Sequence, residues 1–247
     1  MERNELISFL NTYLDVDRFK DYCRNGLQVE GTETINKIVS GVTFSQRLIQ
    51  EAILRKAELI LVHHGLFKGD IPDPPCLCGV MRERLALLLS QNINLVGYHL
   101  PLDAHPEIGN NVLACMELGM ENLQPLDVGF IGDLHFPEKL SELMDKVQRI
   151  YDRELMPFEF GSLEVRRVGI ISGGSSYLWE TALQAGADVF ICGDMKESLV
   201  RKIEEARLNV IVAGHYHTET LGIRALSDII QEKFQIEVSY VDIPSPV

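Results

Sequence analysis

Residues 58–65 read Glu58-Leu59-Ile60-Leu61-Val62-His63-His64-Gly65, four large aliphatic side chains in a row that run into two histidines and a glycine. A short apolar run without alternation is the pattern of a strand covered on both faces, as in a parallel sheet. Upstream, residues 37–42 have the same character and residues 45–56 carry helical spacing, so 37–62 reads as strand, helix, strand. Downstream, Gly69, Pro72, Pro74 and Pro75 exclude regular structure across 67–79. The pattern then predicts a helix at 80–90, a strand at 94–98 that stops at His99 with Asp103 four residues on, and a helix at 110–118. An amphipathic helix over 4–14, with Asn4 as its cap, precedes all of this.

The same order returns in the second half. Residues 168–172 read as a strand, with Ser172-Gly173 placed where Ser40-Gly41 stand, followed by a helix at 177–184. Asp188-Val189-Phe190-Ile191-Cys192-Gly193-Asp194 then matches residues 58–64. A helix at 196–207 leads to a strand at 209–213 that ends at Gly214-His215, with Glu219 four residues on. A long internal repeat is the signature of a duplicated supersecondary unit. The fold class that follows is α/β, two related α/β domains from an internal duplication, with ligands gathered at the inter-domain crevice. Residues 1–124 form the N-terminal domain, carrying His63, His64 and Asp103, and 125–247 the C-terminal one, carrying His215 and Glu219. The boundary is set near Pro125. Residues 121–166, broken by Pro125, Gly129, Gly132, Pro137 and Pro157, are expected to be irregular apart from one helix at 138–150. The last strand, 236–243, fits either sheet, the first included.

Composition narrows the classes. The 247 residues exceed the usual size of one domain, and 46% hydrophobic content supplies a packed core. No apolar run approaches the roughly 20 residues of a membrane span, and the polar start Met1-Glu2-Arg3-Asn4-Glu5 has no signal character. Five cysteines make no paired framework, which fits a cytoplasmic location; Cys76 and Cys78 form a lone Cys-x-Cys, a weak metal signal. A net charge of −13 opposes binding to nucleic acid or to an anionic membrane.

Seven histidines and 36 acidic residues in this length produce roughly one His-x-x-x-acid pair by chance, so two such pairs decide nothing by number. Their position carries more weight. His63-His64, His99 and His215 each follow the C-terminal end of a predicted buried strand, where open α/β sheets bind ligands. Neighbouring strand residues point to opposite faces, so one of His63 and His64 lies in the turn and each can serve a different ion. With Asp103 and Glu219 the donor set is nitrogen and oxygen, suited to Zn, Mn, Fe, Co or Ni, with positions left for water. Glu219 is the natural bridge between two ions. His99 stays open as a further ligand at this point.

Several motifs together resemble the NIF-three-like proteins, whose bacterial members are described as GTP cyclohydrolase 1 type 2-like. They are Asn25-Gly26-Leu27-Gln28-Val29-Glu30-Gly31, Val62-His63-His64-Gly65, Tyr98-His99-Leu100-Pro101-Leu102-Asp103-Ala104-His105-Pro106, Gly109-Asn110-Asn111, and Ala213-Gly214-His215 with Glu219. The resemblance implies two divalent metal ions per subunit held by His63, His64, Asp103, His215 and Glu219, leaving His99 as a catalytic acid/base candidate. It also implies a toroidal homohexamer, a trimer of dimers. Two departures stand out: Thr220 follows Glu219 where many relatives carry a basic residue, and His217 is an extra histidine. The function that follows is a metal-dependent hydrolase of a nucleotide-like small molecule, with Lys68, Arg82, Arg84 and Arg224 as candidate phosphate cations. The alternative is a metal-stabilised hexameric scaffold or regulatory protein without catalysis.

Overall fold

The computed structural model describes residues 1–68, 70–71 and 76–246. Gly69, Pro72, Pro74 and Pro75, on which the expected loop at 67–79 rests, lie outside the described residues. In chain order the elements are α1 (Arg3–Tyr13), β1 (Gly26–Val29), β2 (Lys37–Thr43), α2 (Gln46–Arg55), β3 (Leu59–His64), α3 (Gly79–Gln91), β4 (Asn94–Gly97) and α4 (Leu100–Asp103). There follow α5 (Asn110–Glu117), β5 (Met120–Leu126), β6 (Gly129–Lys139), α6 (Leu140–Tyr151), β7 (Met156–Phe158), β8 (Glu164–Ile170) and α7 (Trp179–Gln184). The last are β9 (Val189–Cys192), α8 (Glu197–Glu205), β10 (Asn209–Val212), α9 (His215–Thr218), α10 (Thr220–Phe234) and β11 (Glu237–Tyr240). Two compact units result, Met1–Leu102 with Ile223–Ile243 and Asp103–Gly222 with Pro244–Val247. The chain therefore passes from one to the other after Leu102 and returns after Gly222, whereas Pro125 lies inside β5.

The first unit holds a five-stranded sheet in the order β1-β4-β3-β2-β11. β2, β3 and β4 run parallel, and β11 adds parallel to β2, so the last strand belongs to this sheet. Leu59, Ile60, Leu61 and Val62 are all fully buried, as an unbroken apolar run requires. Each such side chain contributes about 1.5–3 kcal/mol relative to exposure. α2 covers one face with Leu48, Ile49 and Ala52. Ser45 caps it, its side chain accepting from Leu48 N, and Lys56 ends it in the left-handed region at φ 55°. α1 begins one residue before Asn4, and its N-cap is Glu2.

The second unit holds a six-stranded sheet in the order β5-β6-β8-β9-β10-β7. Residues 121–166 are thus not irregular. They carry β5, β6 and β7 and the start of β8, and the prolines that suggested otherwise sit where a sheet tolerates them. Pro125 is on edge strand β5, Pro157 is on the opposite edge strand β7, and Pro137 falls at the register shift of β6 between Asp133 and Glu138. Gly132 lets β6 approach β5, since a Cβ there would sit 2.7 Å from Glu121 O. Alternation sorts β9 between two cores: Val189 and Ile191 pack with Leu143 and Val147 of α6, while Phe190 and Cys192 pack with Trp179 and Ala182 of α7.

The duplication extends to individual hydrogen bonds. Glu58 Oε2 accepts from Asn36 N and Lys37 N, and Asp188 Oδ2 accepts from Arg166 N and Arg167 N. Asn94 Nδ2 donates to Glu58 O and Thr32 O while its Oδ1 accepts from Gly31 N. Asn209 repeats this with Asp188 O, Ser162 O and Gly161 N. Both units also place an antiparallel strand, β1 or β7, outside the third parallel strand. The pairing of Ile38 with Leu59 and of Val168 with Val189 corrects one expected equivalence. Ser40 corresponds to Ile170, not to Ser172, and Gly173 occupies the position of Thr43. The apolar pattern repeats every two residues along a strand, so a two-residue slip leaves it intact and invisible.

Candidate metal centre

In the first unit, β3 delivers His63 and His64 and the end of β4 delivers His99. The ring centroids of His63 lie 4.7 Å from those of His64 and 5.1 Å from those of His99. One ring nitrogen from each lies within 4.8 Å of the others, a group that could hold a metal ion. His63 is fully buried and its Nδ1 is 2.9 Å from Tyr98 O. A carbonyl only accepts, so Nδ1 carries the proton and Nε2 the lone pair. His64 Nδ1 is 3.2 Å from Thr43 Oγ1. His99 Nδ1 is 3.0 Å from Asp21 Oδ1, which again directs the proton to Nδ1.

Asp21 was not a candidate by sequence. It is the hub of its loop, accepting from Cys23 N, Asn25 Nδ2 and Leu100 N besides His99. Burial alone would raise its carboxyl, but the His99 hydrogen bond and charge and the Cys23 N–H outweigh it and bring the group down to about 2. Gln28 explains two of the motifs. Its amide donates to Arg24 O and accepts from Leu66 N at 2.7 Å, and it fills the space that a Cβ would need at Gly65 and Gly97.

In the second unit, His215 opens α9 and Glu219 follows it. His215 Nδ1 is 3.0 Å from Asp194 Oδ2, and Nε2 is 3.4 Å from Glu219 Oε1. The hydrogen bonds with Asp194 and then with Glu219 outweigh burial and push His215 up to about 10. A cation entering here must displace that proton. Asp194 occupies the place of His64 in the repeat, the one signal that could have found it. Asp103 is 4% exposed; its Oδ1 accepts from Asn110 Nδ2 at 2.9 Å and from Ser172 Oγ at 2.8 Å. Asn110 also accepts from Gly222 N, and Asn111 ties Asp103 O to Ser172 N, which accounts for Gly109-Asn110-Asn111. Gly173, at φ +62°, leaves a cradle: a Cβ would stand 2.2 Å from Glu219 Oε1 and 3.2 Å from His215 Nε2.

The donors fit a divalent metal by chemistry and by orientation. His63, His64, His99 and His215 each have Nδ1 beside an oxygen, the outer contact that fixes metal-binding imidazoles through Nε2. His105 has the opposite arrangement, since its Nδ1 accepts from Glu107 N and Ile108 N and so caps the turn. His217 Nδ1 likewise faces a donor, Arg153 Nη1 at 3.2 Å. Arg153 was not singled out by sequence and lies in the loop between α6 and β7. Of the four expected cations, Arg84 lies over Phe44 and Arg224 over Tyr240, Arg82 is exposed, and Lys68 lines a cavity with Asp21. Cys76 and Cys78 are exposed, and no cysteine joins a group that could hold a metal among the described residues. No helix of the described residues is long and apolar enough to cross a membrane.

The model of Duf34/NIF3 (NGG1p interacting factor 3) matches residues 1–246. The chain belongs to the Duf34/NIF3 family. It is 40% identical over 252 residues to a protein of Haemophilus influenzae named GTP cyclohydrolase 1 type 2 homolog, covering all of both chains. A protein of Escherichia coli K12 with the same name is 41% identical over 251 residues, again at full coverage of both. Among solved structures, protein ybgI, described as of unknown function, superposes with a TM-score of 0.93 at 39% identity and full coverage of both chains.

Proposed function

We infer that this family member is a metal-dependent hydrolase of a nucleotide-like small molecule, binding two divalent ions through His63, His64, Asp103, His215 and Glu219. The observation that carries this reading is the orientation of His63 and His215, each with Nδ1 against an oxygen that only accepts, so that Nε2 can ligate. Divalent ions in an open nitrogen and oxygen site supply Lewis acidity and a water that ionises near neutral pH. Asp103 and Glu219 bring the negative charge such ions need, and the Asn110 and Ser172 donors keep Asp103 in one rotamer. His99, oriented by Asp21, moves protons. The name shared by the relatives points to GTP; on that substrate the reaction proposed is addition of water at C8 of guanine, with that carbon leaving as formate. Five cysteines that are all free thiols suit a cytoplasmic setting, and the family resemblance adds a hexameric ring.

The test is formate release and a fluorescent pterin after oxidation, in protein loaded with Mn, Fe, Zn or Ni in turn. His99→Ala should lose about 10²- to 10⁴-fold in rate and keep its metals, while Asp103→Ala loses both. Fully loaded protein that turns over neither GTP nor a related nucleotide would favour the scaffold reading instead.

A further inference from the structure

The Cys-x-Cys at 76–78 is a sequence motif that the candidate metal centre does not use. The five cysteines divide by environment: Cys23, Cys115 and Cys192 are buried, whereas Cys76 and Cys78 are exposed. Burial, with the Asp21 charge behind it, pushes the Cys23 thiol up to about 11. Burial also pushes Cys115 up to about 12 and raises Cys192. The thiolate is the nucleophile in sulfur chemistry, so these three are held protonated and away from solvent. What remains accessible is a pair of thiols with one residue between them. No cysteine joins a group that could hold a metal among the described residues, which leaves the chemistry of the pair itself.

Chain connectivity keeps the two together. Two residues of extended chain span at most about 7 Å, and a disulfide accepts Cα atoms up to about 6.8 Å apart, so bridging needs only a local turn. The surroundings permit one. Residues 76–80 are all exposed, Leu77 and Val80 included, so a turn there displaces no core side chain. Cys78 is the N-cap of α3 but makes no side-chain cap bond, and its sulfur has no part in holding the helix start. Gly79 is at φ +54°, and a Cβ there would meet no described atom within 4 Å, which leaves the backbone beside Cys78 room to rotate.

We propose that Cys76 and Cys78 are a reversible dithiol–disulfide site that exchanges with small disulfides of the glutathione class. One cysteine thiolate attacks a sulfur of the small disulfide, forming a mixed disulfide and expelling one thiolate. The other cysteine, also as its thiolate, attacks the protein sulfur of that intermediate, closing the Cys76–Cys78 bond and expelling the second. The protein loses two electrons and two protons, and the small disulfide is reduced to two thiols. A bridge across so short a loop is strained as well as exposed, and such disulfides are the ones readily reduced again. The site is separate from the hydrolase reading and does not depend on it.

The experiment exposes the full chain, as wild type, Cys76→Ser, Cys78→Ser and the double variant, to graded ratios of reduced to oxidised glutathione. Intact mass, free thiols of the folded protein and differential alkylation, which marks the bridged cysteines, are read on each. Wild type should lose its two rapidly titrating thiols and the mass of two hydrogens, with the bridge at Cys76 and Cys78, and excess reduced glutathione should restore it. Each single variant should stop with one glutathione attached, and the double variant should take none. Wild type that keeps glutathione on both cysteines, links two chains, or joins either cysteine to Cys23, Cys115 or Cys192 overturns the proposal. So does folded wild type that stays unmodified at ratios that oxidise the denatured chain.

Discussion

Gly173 and Asp21 show how single residues shape the candidate ligands from outside them. Gly173 needs φ +62° and keeps clear the space that Glu219 Oε1 occupies. Gly173→Ala should cost on the order of 1–2 kcal/mol from the left-handed backbone alone and push Glu219 aside. Elemental analysis should then show reduced metal, whereas Gly174→Ala, whose Cβ would meet nothing nearer than 3.5 Å, retains it. Asp21 has the opposite role, a buried charge kept ionised by donors. Its folded carboxyl, at about 2, lies below the ordinary value of 3.8. A depressed acid stabilises the fold above its unfolded pKa and loses that contribution as pH falls through the folded one. Asp21→Asn should therefore cost about 2 kcal/mol at pH 7 by urea unfolding, and the gap from wild type should narrow as pH drops from about 4 towards 2. A gap that stayed constant over that range would mean that Asp21 acts by shape and not by charge.

At the scale of elements, the sites are built where loops are keyed to strand ends. Gln28, in β1, joins Arg24 O and Leu66 N and stands against Gly65 and Gly97, so one side chain locks the loop carrying Asp21 to the segment that follows His64. Gln28→Ala would leave Leu66 N without its acceptor, a loss of about 1–3 kcal/mol. It should also accelerate metal loss to a chelator, because His64 would be less firmly held. Stability lowered with chelation kinetics unchanged would separate Gln28 from the site. The strands β5 and β6 show why a pattern of breakers misleads: proline and glycine stop a central strand, but they are ordinary at an edge, a bulge or a close strand approach, and only the sheet order tells these apart.

For the whole molecule, the expectation is close to two metal ions per chain after incubation with Mn or Zn, lost on Glu219→Ala, because nitrogen and oxygen donors of this number exceed one tetrahedral site. Light scattering on the same samples should give the mass of a hexamer. A monomer at every concentration would remove the ring from the reading, and metal below about one per chain would remove the paired centre.

The residues that the sequence by itself determined are those with strong local signatures: buried parallel strands from unbroken apolar runs, helices from their spacing, the duplication from its repeated order, and His63, His64, His99 and His215 from their address at strand ends. These are properties of short windows, which a chain carries before it folds. The long-range assignments were decided only by tertiary structure. Sheet order placed β11 beside β2 and turned a supposed irregular segment into strands. Packing brought Asp21 to His99 across 78 residues and Ser172 to Asp103 across 69. A hydrogen bond between such distant positions leaves no periodicity in either window, so nothing local could announce the partners that orient each candidate ligand.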